Sequence, residues 1–354
     1  MADVIGLGMT HYPLLAGVDS HMANLLKSTL KDPDIPADLK DPANWSAQAR
    51  REWGEDEGTA AAAGHRAQLL AGLAKCRAEL DEFQPDVVVV WGDDQYENFR
   101  EEVIPSFCVF AYEDTEIDPF AVLGILKIPN AWGLPDGQSF TMKGAPAFAK
   151  ALVTDVISDG VDCAYSYRPR GGSHFPHAFA NTQVFLDWSH VGEEFPYPMV
   201  PIAVNCYGEH VIARQGGIAR FADIRRGEDL DPPGPSPRRC FELGHSVGRS
   251  IRESGKRVAL VASSSWSHAF LHDRGWHLRP DTDSDRRLYD AMVAGDYDAW
   301  QAVTAREVID AGQHEMLNWF CLLGAVDELG LTLDWSDFVT TEIFNSNKTF
   351  AVFK

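Results

Sequence analysis

The sequence predicts an α/β fold, a single domain whose central, mostly buried sheet is flanked by helices. Two strands carry most of that prediction. VVVVW (87–91) and VALVA (258–262) are continuous apolar runs rather than alternating ones, the pattern of strands covered on both faces. The third observation is the alternation of such strands with stretches whose apolar residues recur at helical spacing.

In chain order, DVIGLG (3–8) reads as a first strand running into MTHYP. Residues 43–83 read as largely helical and end before Pro85. The valine strand follows. SFCVFAY (106–112) and FAVLGILKIP (120–129) read as strands, and 144–158 as a helix closed by Asp159-Gly160. PMVPIAVNCYG (198–208) is an apolar strand. DPPGPSP (231–237) is a surface loop, followed by a helix over Arg238–Ser254 and the strand RVALVASSSW (257–266). Residues 285–330 read as helical, with a tail strand at 349–353. No repeat or low-complexity segment interrupts this order. Residues 1–354 are therefore read as one catalytic domain, with a helical cap insertion around 20–82.

Composition narrows the function. A formal net charge of −21 repels phosphate backbones and argues against a nucleic-acid partner. No stretch approaches the length of a membrane span, and the N-terminus lacks the charged and apolar regions of a signal peptide. The six cysteines are scattered without a CxxC pair, which argues for reduced thiols in a cytoplasmic protein and against a zinc-thiolate site.

In an open α/β sheet, ligands bind at the carboxyl ends of the strands. Polar clusters follow three of them: Thr10-His11 after the first strand, Asp93-Asp94-Gln95 after the valine strand, and Ser267-His268 after RVALVASSSW. Most of the twelve histidines must be surface or structural residues, but strand-end position singles out His11 and His268. His174 and His177 lie in RPRGGSHFPHAF, read as a loop. Glu315 sits in GQHEMLNWFCLL, either a surface carboxylate near a helix start or a metal ligand. Histidines with a carboxylate suit a divalent first-row metal, and two His plus one carboxylate is the usual non-haem Fe(II) set. No GxSxG elbow, P-loop, GxGxxG or HExxH is present.

Six segments in order, GMTHYPLL, FQPDVVVVWGDDQYENF, SHFPHAF with PMVPIAVN, RRCFELGHSVGRSI, VALVASSSWSHAF and AGQHEMLNWFCLLGA, together resemble the class III extradiol ring-cleavage dioxygenases, in particular the β-subunit type of the protocatechuate 4,5-dioxygenases. The resemblance implies an Fe(II)-dependent oxygenase that cleaves a catechol-like or hydroxylated aromatic acid with O₂. It implies His11 and Glu315 as iron ligands, His268 as the base that takes the substrate's hydroxyl proton, and His177 as a hydrogen-bonding partner of substrate or oxygen. It also implies an oligomer, either of this chain alone or with a separate small helical subunit.

The sequence departs from the family at three places. The position of the second iron-ligand His falls on Gln95, preceded by Asp94. Three readings stand open: Gln95 ligates through its amide oxygen, Asp94 ligates instead, or the metal is lost or another His such as His65 or His174 reaches in. The family's Asp-His-Gly reads Pro176-His177-Ala178 here. Extra length before the valine strand brings Trp45, Arg50, Trp53 and Arg66, where an arginine can receive a substrate carboxylate or simply carry surface charge. Two other function classes remain beside the oxygenase: a metal-dependent hydrolase or C–C lyase, and a metal-free binding subunit.

Overall fold

The structure is a computed structural model, and it describes residues 3–171, 174–209, 231–272 and 274–354. Gly172 and Ser173 of the RPRGGSHFPHAF stretch lie outside the described residues. A mixed eight-stranded sheet forms the centre. Its strands are β1 (Val4–Met9), β2 (Val87–Asp93), β3 (Phe107–Phe110), β6 (Ala164–Ser166), β7 (Met199–Val204), β8 (Val258–Ser263), β9 (Leu333–Val339) and β10 (Lys348–Phe353). A two-stranded ribbon, β4 (Thr115–Ile117) with β5 (Phe140–Met142), stands apart.

The sheet order is β6-β3-β7-β2-β8-β1-β10-β9. β7, β2, β8 and β1 run parallel as the middle of the sheet, and β10 closes against β1 antiparallel. Every residue of β2, β7 and β8 is buried, as continuous apolar runs demand when helices cover both faces. The register sets Met9 opposite Ser263 and Asp93 opposite Val204. The carboxyl ends of β1, β8 and β2 therefore lie level and adjacent. β10 begins at that same edge because it runs the other way.

One segment departs from the expected assignment. FAVLGILKIP does not form a strand; Ala121–Leu126 is a short helix stopped by Lys127 in a left-handed conformation. Leu123 is buried whereas Ile125 and Leu126 are exposed, so this short apolar run never reaches the sheet. The 43–83 stretch splits at Gly54 into Ala47–Trp53 and Thr59–Phe83. The second of these helices packs on the sheet, where Gly72 abuts Phe350 of β10. No helix among the described residues is long and apolar enough to cross a membrane.

Helices Pro237–Ser254 and Leu317–Leu329 cross at unusually close range. A Cβ on Gly244 would lie 2.0 Å from the Cys321 carbonyl oxygen, and one on Gly324 would lie 2.2 Å from that of Phe241. This glycine contact locks the second helix against its neighbour, and Glu315 sits in the 3₁₀ turn His314–Met316 just before it. Gly244→Ala should therefore destabilise the fold by about 3 kcal/mol in urea denaturation. Gly64→Ala, in the middle of a helix with nothing within 4 Å of the added Cβ, should stabilise by about 0.5–1 kcal/mol in the same assay.

Candidate metal centre

Five side chains converge at the carboxyl edge of the central strands. His11 follows β1, Asp93 ends β2, His268 follows β8, His177 opens the helix His177–Leu186, and Glu315 lies in its 3₁₀ turn. All five are buried.

His11 is oriented by its surroundings. Its Nδ1 lies 2.8 Å from the Ser263 carbonyl oxygen, which can only accept, so Nδ1 carries the proton. Burial, followed by the charge of His177, holds the ring's pKa well below the usual histidine range, so the ring is neutral. The unprotonated Nε2 then points at Asp93 Oδ1, 3.5 Å away, and at Glu315 Oε2, 3.7 Å away. Among the described residues, neither oxygen of Asp93 has a hydrogen-bond partner. Three ligand atoms thus face one another across a space of a few ångströms, an arrangement that a cation placed among them would satisfy. Ligand atoms of His11, Asp93 and His177 also lie within 4.8 Å of one another. An imidazole with two carboxylates is a donor set that a first-row divalent metal takes, so the residues present fit such an ion.

The two carboxylates are raised by the same crowding. Burial pushes Asp93 up to about 6, with Glu97 adding to the effect. Burial and the proximity of Asp93 push Glu315 up to about 8. Tyr207, just past β7, donates its hydroxyl proton to Glu315 Oε1. His268 Nε2 stands 3.3 Å from that oxygen, and burial, followed by the charge of Lys348, lowers its pKa well below the usual value.

His177 has a different setting. Glu97 Oε1 accepts from its Nδ1 at 2.8 Å and from its backbone N–H at 3.0 Å. Burial alone would lower its pKa, but Glu97, with Asp93 and Glu315, raises it to about 9.

The remaining expected residues are placed elsewhere. The Asp94 carboxylate accepts the backbone N–H groups of Glu97, Asn98 and Phe99, so it caps the turn after β2. Gln95 is half-buried in that bend with its N–H on Glu97. His65 pairs with Glu52, and His174 with Asp118. Arg66 spends its guanidinium on Asp19 and on the Leu15 and Gly17 carbonyls, and Arg50 reaches the Ala43 carbonyl. Trp45 donates to the Leu39 carbonyl and packs edge-on against Trp53.

Sequence reasoning placed Asp93 in the strand-end cluster but made only Asp94 and Gln95 ligand candidates, and it did not single out Tyr207, Glu97 or Asp285. For Asp93 and Tyr207 the strand-end rule was the available signal, since each lies at or just past the end of a buried strand. Asp285 had none. It is fully buried on the helix Thr282–Ala294 and accepts from Ser267 N–H and hydroxyl, Gln313 Nε2 and Asn347 Nδ2. It thereby ties the segment carrying His268 to the one carrying Glu315.

Because the His177 pKa is raised, its pairing stabilises the metal-free protein fully below the unfolded value of 6.5, and that contribution fades as pH climbs through about 9. His177→Gln should therefore lower the melting temperature of metal-free protein at acidic pH, and the difference from wild type should shrink steadily towards alkaline pH.

Comparison with known proteins shows what the chain is similar to. Residues 230–353 match the family described as the catalytic LigB subunit of aromatic ring-opening dioxygenase. A 2,3-dihydroxyphenylpropionate/2,3-dihydroxicinnamic acid 1,2-dioxygenase of Pseudomonas putida is 28% identical over 192 residues, 54% of this chain and 46% of that protein. Its counterpart in Paraburkholderia xenovorans is 28% identical over 195 residues, 55% and 47% of the two chains. That of Azotobacter vinelandii is 25% identical over 202 residues, 57% and 50%. The chain spans about half the length of these curated relatives. The crystal structure of an uncharacterized protein from Escherichia coli K12 aligns at TM-score 0.45 and 14% identity, covering 80% of this chain and 91% of that one. The chain is thus similar to the catalytic LigB subunit of aromatic ring-opening dioxygenases over its C-terminal third, and to ring-cleaving dioxygenases over about half its length.

Proposed function

We propose that the protein is a non-haem Fe(II) dioxygenase that opens the ring of a catechol-like or hydroxylated aromatic acid. The observation that carries this reading is the convergence of the unprotonated His11 Nε2 with two buried carboxylates, Asp93 and Glu315. These three residues would hold the iron, with His177 at the edge of the set. Asp93 takes the ligand place for which Asp94 and Gln95 were the sequence candidates. When bound, the iron supplies a Lewis-acidic, redox-active centre for neighbouring substrate hydroxyls and O₂.

The chain's own residues provide the rest. His268 is neutral and next to Glu315, so it accepts the hydroxyl proton of an entering substrate and can return it later. His177, held protonated by Glu97, donates a hydrogen bond to an anionic oxygen in the site. Burial of all five side chains keeps bulk water from the reacting groups. The named substrates of the relatives join a vicinal aromatic diol to a carboxylate, and the reading assigns this chain a substrate of that class.

Metal analysis of anaerobically purified protein tests the reading. Wild type should hold about one iron per chain, and Asp93→Ala and Glu315→Ala should each lose at least about tenfold in iron affinity. Gln95→Ala should keep the metal, as should Asp94→Ala at a stability cost of about 1–2 kcal/mol for the lost turn cap. Oxygen uptake with a panel of catechol acids should follow the iron content. Bound zinc without oxygen uptake would point to hydrolytic or lyase chemistry instead, and wild type unable to take up any metal would sink the metal-dependent reading.

A further inference from the structure

The proline-rich loop at 231–237 has no part in the scheme above, yet it closes a small cavity behind Tyr207. β7 runs past its end into Cys206, Tyr207 and Gly208. Gly208 has a φ of 41°, and a Cβ there would lie 2.3 Å from the Gly234 nitrogen. One on Gly234 would lie 2.3 Å from the Asn205 carbonyl oxygen. Glycine at both places lets the loop lie directly against this segment. The short helix Ala305–Asp310 and the turn His314–Met316 complete the enclosure.

The cavity measures about 30 Å³. A single water needs about 10–15 Å³, so the space admits a molecule the size of water or a diatomic gas and excludes an aromatic ring. Cys206, Tyr207 and Leu317 form its deep end and are buried, whereas Ala305 and Pro233 are exposed and mark its mouth. Most of the lining is apolar; Glu209 and His314 are the polar side chains besides Tyr207. The Tyr207 hydroxyl spends its proton on Glu315 Oε1. The Tyr207 side chain therefore touches the cavity on one side and a carboxylate of the metal centre on the other.

We propose that this cavity is where dioxygen enters and is held beside the metal centre, with Tyr207 as the partition between them. Three properties select that ligand. The size excludes the aromatic acid, which must arrive by another way. The mostly apolar lining disfavours water and ions, which need several polar partners, whereas an uncharged apolar gas gives up no hydrogen bonds on entering. The position puts the bound gas one side chain away from Glu315, a residue proposed to hold the iron. The two glycine contacts keep the walls from collapsing inward, so the space persists without an occupant.

The inference rests on the oxygenase reading, and two measurements separate them. Crystals of metal-free wild type are pressurised with xenon, an apolar atom that small dry cavities take up, and xenon should appear behind Tyr207. An ordered water there and no xenon would overturn the inference while leaving the metal centre standing. In iron-loaded protein, Ala305→Phe and Ile309→Phe add bulk at an exposed and a half-buried wall, where the fold tolerates it. Both should raise KM for oxygen about fivefold, with kcat at saturating oxygen and KM for the catechol acid unchanged. An oxygen KM equal to that of wild type in variants that no longer take up xenon would overturn the inference. So would parallel rises in KM for both substrates, the mark of a general distortion. Iron-loaded wild type that consumes no oxygen with any catechol acid would overturn the oxygenase reading, and this inference with it.

Discussion

One unprotonated imidazole nitrogen faced by two buried carboxylates is the arrangement around which this end of the molecule is organised. Left alone, it is unfavourable: burial raises both carboxyl pKa values, and among the described residues the Asp93 oxygens have no hydrogen-bond partner. The protein tolerates it because its neighbours over-determine each side chain. Ser263 fixes the His11 tautomer, Tyr207 holds Glu315, and Asn181 secures the His11 carbonyl. Together these partners keep the three side chains facing one another.

The fold supplies the rigidity this requires. Parallel pairing of β1, β8 and β2 places three strand ends side by side. The Gly244–Gly324 crossing pins the helix that carries Glu315, and Asp285 gathers the Ser267, Gln313 and Asn347 segments. A carboxylate deep in the protein thus bears on the geometry of His268 and Glu315 by holding the backbone on which they ride. Lys348 belongs to the same construction, since Asn347 beside it is one of the residues that Asp285 holds.

Not all polar groups near the strand ends share that purpose. Asp93 and Asp94 are adjacent in sequence and chemically identical, yet they do different work. The last residue of β2 keeps strand geometry and faces His11, whereas its successor turns into the bend and satisfies three backbone N–H groups. Along an extended chain successive side chains point to opposite sides, so a shift of one residue is a change of face.

That distinction marks the boundary between sequence and structure here. The sequence by itself determined the α/β class, the buried central strands, and the clustering of polar residues at three strand ends, because apolar runs and turn residues are local signals. It also determined that His11, His177, His268 and Glu315 were the residues to follow, through ordered motifs. The tertiary structure alone decided that Asp93 faces His11 while Asp94 caps a turn, that Arg66 is spent on Asp19 and two backbone carbonyls, and that Lys348 lies buried at the start of β10. Those outcomes depend on register, on the face a side chain takes at a strand end, and on partners more than a hundred residues away, none of which leaves a local pattern.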